Sequence, residues 1–302
     1  MKIVWRLAYA AAFVAFAVAV LGSWVRIKGA GMTCPDVPLC NGTIFPSLAN
    51  GVLWEWSHRM LVLLEAPLVG ALVFFAHRAR FQAPHIRIAT YVVGALFVLQ
   101  VLLGAATVHL SNSPVSVVLH WGTAMAFLAS LVILATCAHG VSLSPPGGTG
   151  LPPDAMMLAA LVSTSLCAFA TMCIGAYVSS SGAGLACQTV PGCAGIAVIY
   201  GSGQYVQLLH RFVAGTCLFM AAATFTLSWR ASPRVRWITA LGMGLLFGQV
   251  LLGLATVAFS LPLALREAHA ANAAATFIVF VAATTFASLE RRQSVKLPGL
   301  AR

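Results

Sequence analysis

Four histidines stand in two matched pairs along the chain. His58 and His210 open the motifs "HRM" and "HRF", and His120 and His269 recur at a separation of 149 residues. Each lies near the start of a long apolar run. Ionisable groups at membrane depth are costly and usually functional. One interfacial imidazole bonded to a backbone carbonyl is an ordinary structural feature, but two symmetric pairs point to ligation or chemistry. Two imidazoles on separate helices, facing each other across a four-helix bundle, suit the axial positions of a haem iron. Zinc needs four closed ligands or three plus water, and the apolar runs offer no third Cys or His in register.

The neighbours of these histidines sharpen the reading. Arg59 and Arg211 directly follow His58 and His210, and Arg266 precedes His269 by three residues. A guanidinium there pairs with a haem propionate or snorkels to lipid headgroups, and both readings stand. Glu55 lies three residues before His58 and shares its helix face, whereas the repeat partner of Glu55 is Gln207. One half thus carries an ionisable carboxylate beside its site and the other a neutral amide. This asymmetry suggests a working site and a static one, because a carboxylate near a haem edge can move protons or stabilise positive charge. Glu267 is expected to pair with a rim arginine, and Glu65 and His109 have no assigned role. His77, His85 and His139 read as solvated interface residues.

Cys34/Cys40 and Cys187/Cys193 each enclose five residues in loops on the expected non-cytoplasmic side, where disulfides persist. Closing so small a ring stabilises a loop by about 2–3 kcal/mol in the chain-entropy account. The second pair reads as a staple. The first is either a staple or a site of exchange with an external thiol protein. Cys137, Cys167, Cys173 and Cys217 do not repeat and read as small apolar residues.

The elements that carry these groups are membrane helices. The chain is 60% hydrophobic and 8% charged, against about 25% charged in soluble domains. Its net charge of +11 is clustered between apolar runs, which argues for membrane topology and against nucleic acid. Eight runs can span about 30 Å of hydrocarbon, at 5–25, 56–76, 88–109, 115–138, 155–178, 206–229, 236–258 and 266–289. They are continuous and rich in Ala and Leu, so an all-α bundle is expected and strands are not. Twelve of the 17 Lys and Arg fall at the N-terminus, in the second and sixth connections and in the C-terminal tail. That side is expected to be cytoplasmic.

The chain is also written twice. "QVLLGAATV" at 100–108 returns as "QVLLGLATV" at 249–257, and "GSWVRIKGAGMTCPDVPLCNG" (22–42) lies over "GAYVSSSGAGLACQTVPGCAG" (175–195). The first run suits a cleaved signal in its basic start, but it partners the fifth run in this repeat and is expected to stay. Two parallel four-helix units follow, at 1–140 and 155–302, joined by a Pro/Gly-rich linker at 141–154. Gly104 and Gly253 are expected to permit close helix contact.

Eight helices, a duplicated four-helix unit, paired histidines, Glu-x-x-His on the second helix and cysteine pairs in outer loops together resemble the haem A synthase family over nearly the whole chain. The resemblance implies a multi-pass plasma-membrane oxidoreductase with haem b between His210 and His269 and substrate haem O near His58 and His120, assisted by Glu55. Such an enzyme hydroxylates the methyl at porphyrin position 8 twice with oxygen from water, and loss of water leaves the formyl group of haem A for terminal oxidases. Electrons then leave through the enzyme, with the C-terminal haem as relay. Implied partners are membrane lipid, haem O synthase or another delivery protein, and an external thiol–disulfide protein, with room for a homo-oligomer. The alternatives are a two-haem, quinol-linked electron-transfer protein and a haem transporter, although the helix interruptions typical of a transporter are not seen.

Overall fold

The computed structural model describes residues 1–78, 84–140, 153–193 and 198–296. Residues 141–152 of the expected linker, with Arg80 and Arg302, lie outside them. Eight helices follow in order: α1 (Lys2–Ile27), α2 (Val52–Arg78), α3 (Pro84–His109), α4 (Pro114–Gly140), α5 (Ala155–Ser180), α6 (Gly203–Ser228), α7 (Pro233–Ala258) and α8 (Leu263–Lys296). A single 3₁₀ turn at Ala183–Leu185 interrupts the α5–α6 connection. All eight helices are long and apolar enough to cross a membrane, so the chain is an all-α, multi-pass membrane protein. The helices run past the expected spans at several ends, most of all in α8.

Local sequence sets the helix starts. Proline opens α3, α4 and α7, where its missing N–H costs nothing. Asp154, Ser202 and Ser232 cap α5, α6 and α7 by accepting from the backbone N–H of Met157, Tyr205 and Val235. Within the spans, Thr and Ser hydroxyls return to carbonyls one turn back, as Thr90 does to Ile86 and Thr239 to Val235. This leaves few polar atoms without partners in an apolar medium.

Each group of four helices closes on itself. In the first, α1 packs on α2 and α4, and α3 on α4, while α2 and α3 meet over a shorter stretch. The second repeats the pattern, with α5 on α6 and α8, and α7 on α8. The two groups join through α4 with α8, α4 with α5, and α1 with α8. Exchanging the groups maps this seam onto itself, as expected of a two-fold related duplication. Arg26 donates to Ser179 across it at 2.9 Å, and fully buried Leu128, Leu131 and Leu134 of α4 belong to the continuous core.

Candidate functional site: paired imidazoles beneath two disulfide loops

The four histidines lie at one depth. Each stands six or seven residues into an even-numbered helix, about 10 Å below the end that carries the cysteine loops. Facing each, five residues before the end of an odd-numbered helix, is a glycine. A Cβ on Gly22 would stand 2.8 Å from Cε1 of His58, and one on Gly175 would stand 2.9 Å from Cε1 of His210. The corresponding distances are 3.1 Å for Gly104 with His120 and 3.0 Å for Gly253 with His269. Every imidazole therefore presents its Cε1 edge to a backbone that only glycine leaves open. The expected role of Gly104 and Gly253 is refined: the space they leave is filled by a ring.

Each half thus carries two such rings, His58 with His120 and His210 with His269, on its two even-numbered helices. Nδ1 of His58, His210 and His269 is buried without a hydrogen-bond partner. The interior stripe of α2 is buried at Glu55 and again at Glu65, and opens between them at half-buried His58 and Val62. The stripe of α6 does the same between Gln207 and Cys217. Two imidazoles per half, at one depth on the even-numbered helices, are a donor set that suits a haem iron with two nitrogen ligands. Among the described residues no group of three or more His, Cys, Asp or Glu gathers as a metal-ion site.

Two glutamines complete the setting, and the sequence reading missed them. Gln100 Nε2 lies 3.1 Å from Nδ1 of His120, and Gln249 Nε2 lies 3.3 Å from Nε2 of His269. The signal was present, since each opens the repeated "QVLLG" four residues before the glycine that receives the ring. The halves differ behind these amides. Asn272 donates to Gln249 Oε1 at 2.8 Å and to the Leu245 carbonyl. Thr123 stands where Asn272 would fall in the first half, and Gln100 Oε1 is buried without a partner.

Above the imidazoles, a disulfide closes each loop, Cys34 to Cys40 and Cys187 to Cys193. Cys137, Cys167, Cys173 and Cys217 are unpaired. Glu55 is buried and anchors the first loop: Oε2 accepts from Cys34 N–H at 2.8 Å and from Thr33 Oγ1 at 3.0 Å, and Oε1 pairs with Arg59 at 2.7 Å. Arg59 also donates to the carbonyls of Cys34, Asp36 and Leu39. Gln207 anchors the second loop in the same way, accepting from Cys187 N–H and donating to Gly184. Arg211 donates to the carbonyls of Cys187, Thr189, Pro191 and Gly192. At the rim, Asp36 accepts from Asn41 and Gly42 N–H, and the Gly42 bond first among these holds its carboxyl below the usual range.

The remaining expectations resolve unevenly. Both terminal nitrogens of Arg59 and Arg211 are engaged with their loops, an arrangement that sequence spacing does not reveal. Glu55–Arg59 is the one ion pair among the described residues, and neither carboxylate oxygen of Glu267 has a hydrogen-bond partner there. His109 is exposed at the end of α3. His77 meets the Tyr91 hydroxyl at 2.6 Å, and His139 stacks on Trp5.

The fold and site define a class: duplicated four-helix membrane bundles with two imidazole pairs under disulfide-closed loops. The family model described as cytochrome oxidase assembly protein, COX15-CtaA, matches residues 5–281. The haem A synthase of Bacillus licheniformis is 30% identical over 267 residues, covering 82% of this chain and 84% of the relative. That of Geobacillus kaustophilus is 26% identical over 281 residues, covering 91% and 88%. The chain belongs to the COX15-CtaA family and stands among its haem A synthases.

The close ring-on-glycine contact makes a direct prediction. Gly175→Ala must displace the His210 ring, whereas a Cβ on Gly215 meets open space. Purified Gly175→Ala protein is expected to retain less haem with a shifted Soret band, and Gly215→Ala to match the parent. Equal haem content and spectra in both variants would remove the glycine from the site.

Proposed function

We propose that this chain converts haem O to haem A, with substrate held in the N-terminal unit (1–140) by His58 and His120 and a resident haem b in the C-terminal unit (155–302) by His210 and His269. The observation that carries this assignment is the unequal support of two otherwise matched sites. The C-terminal ligand set is locked by Asn272 and Gln249 and lies under a neutral amide, Gln207. The N-terminal set lacks that lock and lies under a carboxylate. A permanent cofactor is best served by a ligand held from behind through a chain of amides, as His269 is by Gln249 and Asn272, and a substrate that must enter and leave by a looser one.

When bound, haem b supplies one-electron transfer, which no side chain here can perform. The protein's own residues orient and protect. The glycines and glutamines hold the imidazoles in plane, and the disulfide loops cover the site from the polar end. Polar propionates belong at that end, where Arg266 is the proposed partner. Arg59 and Arg211 act mainly on the loops. The position-8 methyl adjoins a propionate-bearing carbon, which sets it toward the level of Glu55. Replacing a C–H bond of that methyl by C–O from water releases two protons and two electrons per hydroxylation. The electrons would leave singly through haem b, and Glu55 would accept a proton and stabilise developing positive charge. The charge pattern supports a plasma-membrane orientation with both termini cytoplasmic and the disulfide loops outside.

Two experiments test the reading. His210→Ala or His269→Ala is expected to remove most of the stably bound haem b, while His58→Ala or His120→Ala keeps it and abolishes haem A formation. The reverse pattern in extracted pigments would exchange the roles of the halves.

Glu55→Gln separates chemistry from anchoring, because Gln207 already shows that an amide can hold the loop. Haem A formation is expected to fall by about 10²–10⁴-fold, with the alcohol intermediate accumulating and haem b retained. Haem A at the parental level would reduce Glu55 to a loop anchor.

A further inference from the structure

Glu65 is the central residue of α2 and is 2% exposed, yet neither carboxylate oxygen has a hydrogen-bond partner. A buried polar group left unpaired in an apolar medium costs free energy, and carboxyl groups at membrane depth are functional by default. Among the described residues no cation meets it, so it is not half of a structural ion pair there. Its repeat position in α6 is Cys217, which is 1% exposed. The C-terminal bundle therefore packs at this place with a small, nearly apolar thiol, and a carboxyl is not demanded by the fold.

Its position relative to His58 is defined. Seven residues separate them, two turns along one helix face and about 10 Å deeper. The Cα–Cβ bond of a helical residue leans toward the helix N-terminus, which for Glu65 is toward His58. The interior stripe of α2 opens at His58 and Val62 and closes again at Glu65. Glu65 is thus the buried polar floor of this stripe below His58, as the Glu55–Arg59 loop anchor is its roof.

We infer that Glu65 is a specificity residue that hydrogen-bonds the hydroxyl of the hydroxyethylfarnesyl substituent of haem O. The inference rests on the N-terminal unit being the substrate site. Haem O differs from haem b by that substituent, which replaces a vinyl group on the porphyrin edge opposite the propionates. With propionates at the disulfide end, this edge faces inward, toward the floor. A carboxyl accepts from a hydroxyl, and as the acid it also donates. A site built to pair with a hydroxyl discriminates against the analogue lacking it, because its own polar group is then left unpaired. Cys217 fits the other half, whose proposed occupant carries a vinyl group and no hydroxyl.

The test is a competition titration of the purified protein, its haem b in place, with haem O against added haem b, read from extracted pigments. Glu65→Leu and Glu65→Cys are expected to lower the preference for haem O roughly 10-fold, and Glu65→Gln to keep most of it. Retained haem b between His210 and His269 reports correct folding, and the Cys variant copies a residue that α6 already accommodates. Unchanged preference in the Leu and Cys variants would overturn the inference, including the case where turnover falls in all three, the pattern of a proton carrier. Failure of the parent protein to form haem A from haem O would instead strike the functional reading, so the two failures are distinguishable.

Discussion

The contact on which this structure depends is an imidazole ring laid against a glycine of the neighbouring helix, made four times at one depth. It dictates which helices pair, since each even-numbered helix must bring its histidine against the odd-numbered helix before it. It also sets the spacing, because the glycine permits an approach that any Cβ would block. The disulfide loops sit directly above, joined to the same helices by Glu55 with Arg59 and by Gln207 with Arg211. A change in ring position is therefore transmitted to the loop within one or two turns.

Duplication makes the structure self-annotating. Features kept in both halves, the rings, glycines, glutamines, loop anchors and disulfides, are what any two-imidazole site of this form requires. Features that differ are the ground on which the halves are proposed to take different roles. Glu55 against Gln207, Thr123 against Asn272 and Glu65 against Cys217 all fall around the imidazoles. In each case the N-terminal half is the more polar, or the less fully satisfied. A substrate site must recognise and release, and it pays for that with unsatisfied groups.

Much of this was legible in the sequence because apolar periodicity and repetition are local signals. The eight helices, the histidine pairs, the loop cysteines and the Glu55/Gln207 difference could be read by alignment of the chain on itself. What escaped depends on where backbone atoms converge. Arg59 and Arg211 read as rim cations for propionates or lipid headgroups, and sequence spacing did not reveal that loop carbonyls also bond their guanidinium groups. Gln100 and Gln249 were visible inside "QVLLG", yet the destination of an amide is fixed only when α3 meets α4 and α7 meets α8. Glu267 read as able to pair with Arg266 or another rim arginine, and among the described residues it closes no ion pair. The Glu65/Cys217 difference acquired meaning only when both proved to be buried at matching positions of α2 and α6.

The central claim is that the two halves hold two porphyrins in chemically distinct but equally ligated sites. Near-infrared magnetic circular dichroism of the purified protein, before and after loading with haem O, tests this most directly. The account predicts one bis-imidazole charge-transfer signal before loading and a second after it, with the second lost selectively in His58 or His120 variants. A single signal that grows without a second ligand set, or a loaded haem lacking imidazole ligation, would contradict it.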